Sequence, residues 1–358
     1  MHAALPRRSL LAAGLASGLG GALRPAGASA LPVRALQFPR DFGAHPDLRT
    51  EWWYITGHAA AGEREFGFQV TFFRSRVDAT QGMQSRFAAK QLLFAHAAVT
   101  DLQGRRLWHD QRIAREGFGI AAASEADTDI TLRDWSLRRR HGVYEAAITA
   151  GDFSLQLWFS ETQPLLLQGR QGLSRKGPQP QQASYYYSLP QLAARGGIVL
   201  KGQRFAVEGR AWLDHEWSEE LLDAQAVGWD WIGMNLFDGS ALTAFRLRTR
   251  DGASLWDGGS FRATRGDAYI FSPGETTFSP QRRWTSPASQ ASYPVEWVIR
   301  TPADFYTVKA VLDDQELDSR ASTGAIYWEG LSDLYDSNGR RVGRGYLEMT
   351  GYAKRLQL

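Results

Sequence analysis

The sequence predicts an all-β protein of two domains, and three observations carry that prediction. No long stretch sustains helical periodicity; short apolar runs alternate with turn signals instead. The chain is rich in ring-bearing residues and glycine, with 13 Trp, 12 Tyr, 18 Phe and 36 Gly, which suits pleated surfaces and tight turns better than helical bundles. At 358 residues it also exceeds what one hydrophobic core usually holds. Two barrels or sandwiches, which close or pack their strand edges, satisfy all three.

Residues 1–30 stand apart from the fold. "PRRSLL" carries the twin arginine Arg7-Arg8, followed by the apolar run Leu10 to Leu23 and the small-residue site "ASA" at Ala28 to Ala30. This is the pattern of a Tat-type export signal, with cleavage expected after Ala30 and the mature protein periplasmic or secreted. The apolar run is short for a spanning helix, so the mature protein is not expected to cross a membrane. Removing Arg7, Arg8 and Arg24 brings the 41 basic residues level with the 38 acidic ones, so the sequence pI near 9.1 belongs largely to the signal. With only the isolated "RRR" of Arg138 to Arg140 left as a basic run, nucleic-acid binding is not expected. Cysteine is absent, which excludes a thiol nucleophile, a thiolate metal site and stabilisation by disulfides.

Along the chain, "TEWWYITGH" from Thr50 places Glu51, Trp53, Ile55 and Gly57 on one face of a strand and Trp52, Tyr54, Thr56 and His58 on the other. Either Glu51 with Trp53 or Tyr54 therefore meets a barrel interior and contacts ligand. "EFGFQVTFF" puts Phe66, Phe68, Val70 and Phe72 together, opposite Gln69, Thr71 and Phe73. "LLFAHAAVTD" leads into a hairpin around Gly104, and Gln69, Thr71 and His96 form the polar set expected to line a cavity or, equally, a solvent face. "FSLQLWFS" from Phe153 is a further strand. The Gly-, Pro- and Gln-rich stretch Gly169 to Ser184 reads as an exposed loop, and "SLPQL" at Ser188 as one helical turn. "SEELLDAQAVG", from Ser218, reads as the domain join, giving domains 31–222 and 223–358, and "TAFRLRTRDGASLWDGG" is a hairpin turning at Asp251-Gly252.

The most chemically loaded stretch is "AWLDHEWS". In a strand, Leu213, His215 and Trp217 point one way and Trp212, Asp214 and Glu216 the other, so the three ionisable groups cannot converge unless the strand bends. If the second set shares a dry wall, burial and mutual repulsion raise at least one carboxyl pKa. A carboxylic acid kept neutral near pH 7 is what protonation of an alkene or enol needs, and tryptophan faces can stabilise the cation that forms. The competing reading pairs Asp214 and Glu216 with Arg246 or Arg248 and makes His215 an interior hydrogen-bonded residue. In "GWDWIG", Trp229, Trp231 and Gly233 share one face, while Asp230 lies with Ile232 and Met234 and either contacts ligand or pairs with an arginine. "YWEG" from Tyr327 and the later Glu348 repeat the aromatic–glutamate theme. The chain lacks HExxH, a phosphate loop and a GxSxG elbow. Neighbouring strand residues seldom chelate together, so neither a metal nor a cofactor is expected.

"FPRDFGAHPDLRTEWWYITGH", "FGFQVTFFR", "FAHAAVTD", "YYYSLPQL", "AWLDHEWS", "GWDWIGMNLFDGS", "YWEGL" and "GYLEMTGY" together resemble, in order and over nearly the whole mature chain, the AttH-like family. That family is similar to carotenoid 1,2-hydratases (hydroxyneurosporene synthases), and its bacterial members are often labelled predicted secreted hydrolases. The resemblance implies two lipocalin-like β-domains with an apolar-ligand cavity in or between them; fungal pericyclases that close decalin rings look like distant relatives. It implies a hydrophobic lipid, terpenoid or polyene ligand and general-acid chemistry, with Asp214 or Glu216 as proton donor, Trp217 and Trp231 flanking the cation, and His215 or Tyr54 positioning water. A non-catalytic periplasmic carrier, or an accessory protein of an ABC transporter, is the alternative. One scaffold carries several chemistries, so the fold does not choose among them.

Overall fold

A computed structural model describes residues 30–356. The export-signal reading of residues 1–30 thus lies, but for Ala30, outside the described residues. Among the described residues there are two short 3-10 turns, Arg40–Phe42 and Asp78–Thr80, and no α-helix. Everything else regular is strand.

Two large antiparallel sheets divide the chain. The first runs, in spatial order, through Arg106–Arg115, Gln91–Asp101, Arg64–Arg76, Thr50–Ala61, Gln203–Glu220, Ala183–Leu200, Phe153–Ser160, Val143–Thr149, Trp135–Arg140, Asp129–Leu132 and Ala121–Ala123. The second runs through Ala268–Phe271, Ser254–Arg262, Ala241–Arg248, Gly228–Leu236, Arg341–Met349, Ala325–Tyr335, Phe305–Ala310, Glu296–Arg300 and Thr277–Pro280. The chain passes from one sheet to the other between Glu220 and Gly228. Alternation decides what each sheet encloses. Phe66, Phe68, Val70 and Phe72 are fully buried inside the first sheet with Trp53, Leu213 and Trp217, while Ile232, Met234, Trp297 and Trp328 fill the second. Burying aromatic side chains of this size is worth about 1.5–3 kcal/mol each.

A third apolar cluster, between the sheets, takes the opposite faces of the same strands: Tyr54, Trp212, Trp231, Phe245, Leu331 and Tyr346. The sheets approach closely there. A Cβ on Gly67 would lie 2.8 Å from the Tyr346 hydroxyl and 3.1 Å from Leu331 Cβ, so glycine is what lets the Arg64–Arg76 strand meet the second sheet.

Two local expectations are corrected. The stretch from Gly169 to Ser184 is not simply an exposed loop: Leu173–Arg175 pairs with the Ala183–Leu200 strand, and Lys176 is buried. Its ammonium is drawn inward by Glu216, 2.9 Å away, and by the rings of Phe245 and Tyr186. "SLPQL" is not helical. It continues the Ala183–Leu200 strand through a bulge between Leu189 and Leu192, where Gln191 has φ 58° and its side chain bonds the Leu236 and Ser240 carbonyls across to the second sheet.

Candidate functional site

The Gln203–Glu220 strand is the wall between two environments. It pairs Trp53 with His215 and Tyr54 with Asp214 on the Thr50–Ala61 strand, and Tyr186 with Glu216 on the Ala183–Leu200 strand. The odd-numbered residues, His215 and Trp217, together with Glu51 and Trp53, enter the first sheet's core. The even-numbered residues face a cavity of about 240 Å³ between the sheets, lined by Trp52, Tyr54, Tyr186, Asp214, Trp231 and Glu348 among others. His96, Glu216, Trp229, Tyr327 and Glu329 also reach it.

On the core side the ionisable groups are paired. His45 is held by two carboxylates, with Nδ1 2.7 Å from Glu51 Oε1 and Nε2 2.9 Å from Asp41 Oδ1. Both ring nitrogens must donate, which makes it an imidazolium. Burial opposes that charge, but the two carboxylates outweigh it and raise the His45 pKa. His215 donates from Nε2 to Glu51 Oε1 at 2.8 Å and accepts at Nδ1 from the Tyr187 hydroxyl at 3.0 Å; burial lowers its pKa to about 4, leaving it neutral. Glu51 Oε2 accepts from Arg74 Nε and from the His45 amide, both at 2.8 Å. Burial works against the Glu51 charge, yet the bonds from His215 and His45 hold its pKa well below the usual carboxylate range. His45 stacks on Trp217 at 4.0 Å and His215 on Trp53 at 4.6 Å.

His45 Nδ1, Glu51 Oε1 and His215 Nε2 lie within 4.8 Å of one another, the spacing of a three-ligand cation site. The donor set does not suit one. Glu51 already accepts four hydrogen bonds, and a cation would displace two ring protons while sitting beside the Arg74 guanidinium. The cluster is a satisfied ion-pair network.

The cavity side is different. Glu329 and Glu348 stand directly opposite each other on the Ala325–Tyr335 and Arg341–Met349 strands, so their carboxyls share one patch of wall. Glu329 is buried and Glu348 half-buried. Burial, with the neighbouring Glu348 charge, pushes Glu329 well above the usual carboxylate range. Burial raises Glu348 to about 8, against the Trp229 indole, with the Asp214 and Glu216 charges adding to the rise. Two like-charged carboxyls so placed resist ionising together, so each tends to keep its proton near neutral pH. Glu329 and the nearby Tyr54 hydroxyl act on each other's proton affinity, and among the described residues neither Glu329 Oε1 nor the Tyr54 hydroxyl has a well-aligned hydrogen bond. Buried polar atoms are seldom left so, and these two line the cavity.

Asp214 occupies the facing wall. Burial raises its pKa to about 7, although Ser188 Oγ at 2.5 Å, the Tyr186 hydroxyl at 2.7 Å and Trp212 Nε1 at 2.7 Å all donate to it. No cation faces it. Glu216 is paired instead, with Lys176 and with the Ser184 hydroxyl. His96 lines the cavity as a neutral ring, lowered by burial to about 3, with Nδ1 2.8 Å from the Tyr327 hydroxyl and Nε2 2.9 Å from Ser322 Oγ.

The residues singled out from sequence therefore separate. Tyr54, His96, Asp214, Glu216 and Trp231 come together at the cavity. Glu51, Trp53, His215 and Trp217 meet one another on the far side of the same wall, away from it. Gln69 lies between the sheets, 3.5 Å from the Tyr327 hydroxyl, and steadies that residue rather than lining the cavity. Asp230 is buried in the second sheet's ladder, where Arg246 at 2.8 Å, Arg248 at 3.1 Å and the Tyr352 hydroxyl at 2.9 Å enclose it. Those arginines, expected as partners of Asp214 or Glu216, are its partners, because alternation turns them away from the cavity. Glu329, Glu348, Tyr186 and Lys176 were not among the sequence candidates. The aromatic–glutamate repeat marked the two glutamates, but only strand pairing makes them neighbours.

Comparison with known proteins follows this geometry. A family model described as AttH-like matches residues 29–352, and the chain belongs to that family. The structure of an AttH-like protein from Nitrosomonas europaea is 46% identical, covers 90% of this chain and 99% of its own, and superposes with a TM-score of 0.84. Kievitone hydratase from Nectria haematococca shares the lipocalin-like fold at 12% identity, covering 89% and 94% of the two chains, with a TM-score of 0.69. CghA, solved with Sch210972, shares it at 10% identity over 85% and 88%, with a TM-score of 0.52. No curated protein matches the sequence significantly.

Proposed function

We propose that this AttH-like chain binds an apolar molecule between its two sheets and protonates it, in chemistry of the hydratase, isomerase or cyclase type. The observation that carries the reading is the pair of facing carboxyls on the wall of a tryptophan-lined cavity, buried Glu329 and half-buried Glu348, which form no salt bridge among the described residues. A carboxyl that holds its proton near pH 7 can deliver it to an alkene or enol carbon. Trp52, Trp229 and Trp231 offer ring faces to the developing cation. Asp214, poised near pH 7 on the opposite wall and bonded to Tyr186, is placed to accept the proton of an attacking water. Tyr54 and Glu329, which have no well-aligned hydrogen bond among the described residues, supply polar atoms that orient a ligand. Kinship of fold with a hydratase supports this class of chemistry. The role moves from Glu216, which Lys176 occupies, to the glutamate pair.

The test begins with native mass spectrometry of purified protein to identify a co-purifying apolar ligand. That ligand is then incubated with the protein in D2O. Proton delivery to carbon leaves deuterium in the recovered product, and Glu348→Gln abolishes it. Recovery of the intact ligand without deuterium would sink the reaction and leave a carrier. The reading also places the protein outside the cytoplasm, as the amino-terminal sequence suggests; replacement of Arg7-Arg8 by lysines should block export, and an exported protein should begin at Leu31.

A further inference from the structure

We propose that the loop tips beside the cavity mouth form a docking surface for anionic phospholipid bilayers. The cavity reaches solvent at Arg49 and Thr323, next to Thr50 and Ser75 at one end of the first sheet. Ser75 pairs with Leu92, and Leu92 with Arg115, so Arg115 lies two strand spacings, about 10 Å, from the mouth along the same sheet end.

At that end two phenylalanines stand in the open. Phe87, in the 77–90 loop, is 67% exposed, and Phe118, in the 116–120 turn, is 47% exposed. They stack on each other at 5.5 Å with a 16° interplanar angle. Met83 in the same loop and Ile120 in the same turn are also exposed. Gly117, Phe118 and Gly119 all have positive φ, at 102°, 59° and 69°. For a bulky residue this conformation is uncommon and costs on the order of 1–3 kcal/mol, and here it holds Phe118 outward. Large apolar side chains held in solvent mark interaction sites.

Charge selects the partner. The Arg115 guanidinium lies 4.1 Å over Phe118 and 5.6 Å over Phe87, and Arg86 lies 5.6 Å over Phe118. Arg86, Lys90, Arg115 and the adjacent Arg133 make no ion pair among the described residues; Glu116, Asp134 and Asp78, the last paired with Arg76, are the acids beside them. Aromatic tips within a basic ring match the acyl boundary and phosphate layer of an anionic membrane surface. Docking there would bring the cavity mouth to within about 10 Å of the lipid phase. The surface stands on its own geometry, and its test leaves the cavity untouched.

Because the chain has no cysteine, a single cysteine can carry an environment-sensitive fluorophore without background. Gln84→Cys reports on the patch, and Glu63→Cys, at the opposite sheet end, reports on everything else that tethers the full chain. With phosphatidylglycerol vesicles we expect the label at 84 to shift to the blue and the label at 63 to stay unchanged. The shift should shrink with phosphatidylcholine or at high salt, and vanish in a Phe87→Ser, Phe118→Ser background that melts at the same temperature. An unchanged label at 84 overturns the proposal. So does a shift that follows protein concentration without vesicles, which would make the patch a self-association face.

Discussion

The two faces of the Gln203–Glu220 strand bury the same kinds of side chain and treat their protons in opposite ways. Toward the first core, Glu51 and Asp41 are held below the usual carboxylate range by His45, by His215 on Glu51 and by Arg34 on Asp41. Toward the cavity, Asp214, Glu329 and Glu348 rise above it. Burial raises a carboxyl pKa on both sides, so burial is not the difference. A cationic partner is. The core face joins its carboxylates to cationic partners and reads as structure; the cavity face keeps its carboxyl protons without a salt bridge and reads as chemistry.

The comparison breaks most visibly at Glu51. Glu51→Ala leaves Arg74 and His45 buried without their carboxylate and should cost about 3–5 kcal/mol, read as a drop in the urea midpoint. A loss below about 1 kcal/mol would show that the core face is not held by its ion pairs. Glu348→Gln, on the cavity face, should behave inversely, with thermal stability kept or raised and deuterium transfer to ligand reduced by about 100-fold or more.

The pH dependence sharpens the contrast. Raised folded-state values at Asp214 and Glu348 give stability that is full below about pH 4 and lost as pH climbs through 7 to 8. Lowered values at Asp41 and Glu51 give stability present above about pH 4 and lost below it. Melting temperature should therefore fall on both sides of the weakly acidic range, and Glu348→Gln should flatten the alkaline limb alone. An unchanged alkaline limb would remove Glu348 as a proton holder. The smallest effect is expected where both partners are neutralised together: Lys176→Met with Glu216→Gln should stay within about 1 kcal/mol of the parent, because no buried charge is left alone. A larger loss would mean that Lys176 closes the cavity by more than its charge.

Much of this was legible beforehand. Alternation in "AWLDHEWS" separates His215 from Asp214 and Glu216, and "EFGFQVTFF" shows its buried face outright. What alternation leaves open is which face meets which environment. His215 and Asp214 were equal candidates until the second sheet covered one side of the wall. Lys176 was hidden for another reason: its neighbours Gly177, Pro178 and Gln179 are loop-forming residues, and only the pull of Glu216 and two aromatic rings brings it inside. Glu329 and Glu348 are separated in the chain and become cross-strand neighbours through strand register alone.

The chain's own order of residues determined the all-β class and the set of side chains that share each strand face, because a pleated strand repeats every two residues whatever surrounds it. Only the tertiary structure decided which faces are dry, which carboxyls have a cation beside them and which do not. Proton affinity depends on neighbours through space, and those neighbours come from strands that the sequence lists far apart.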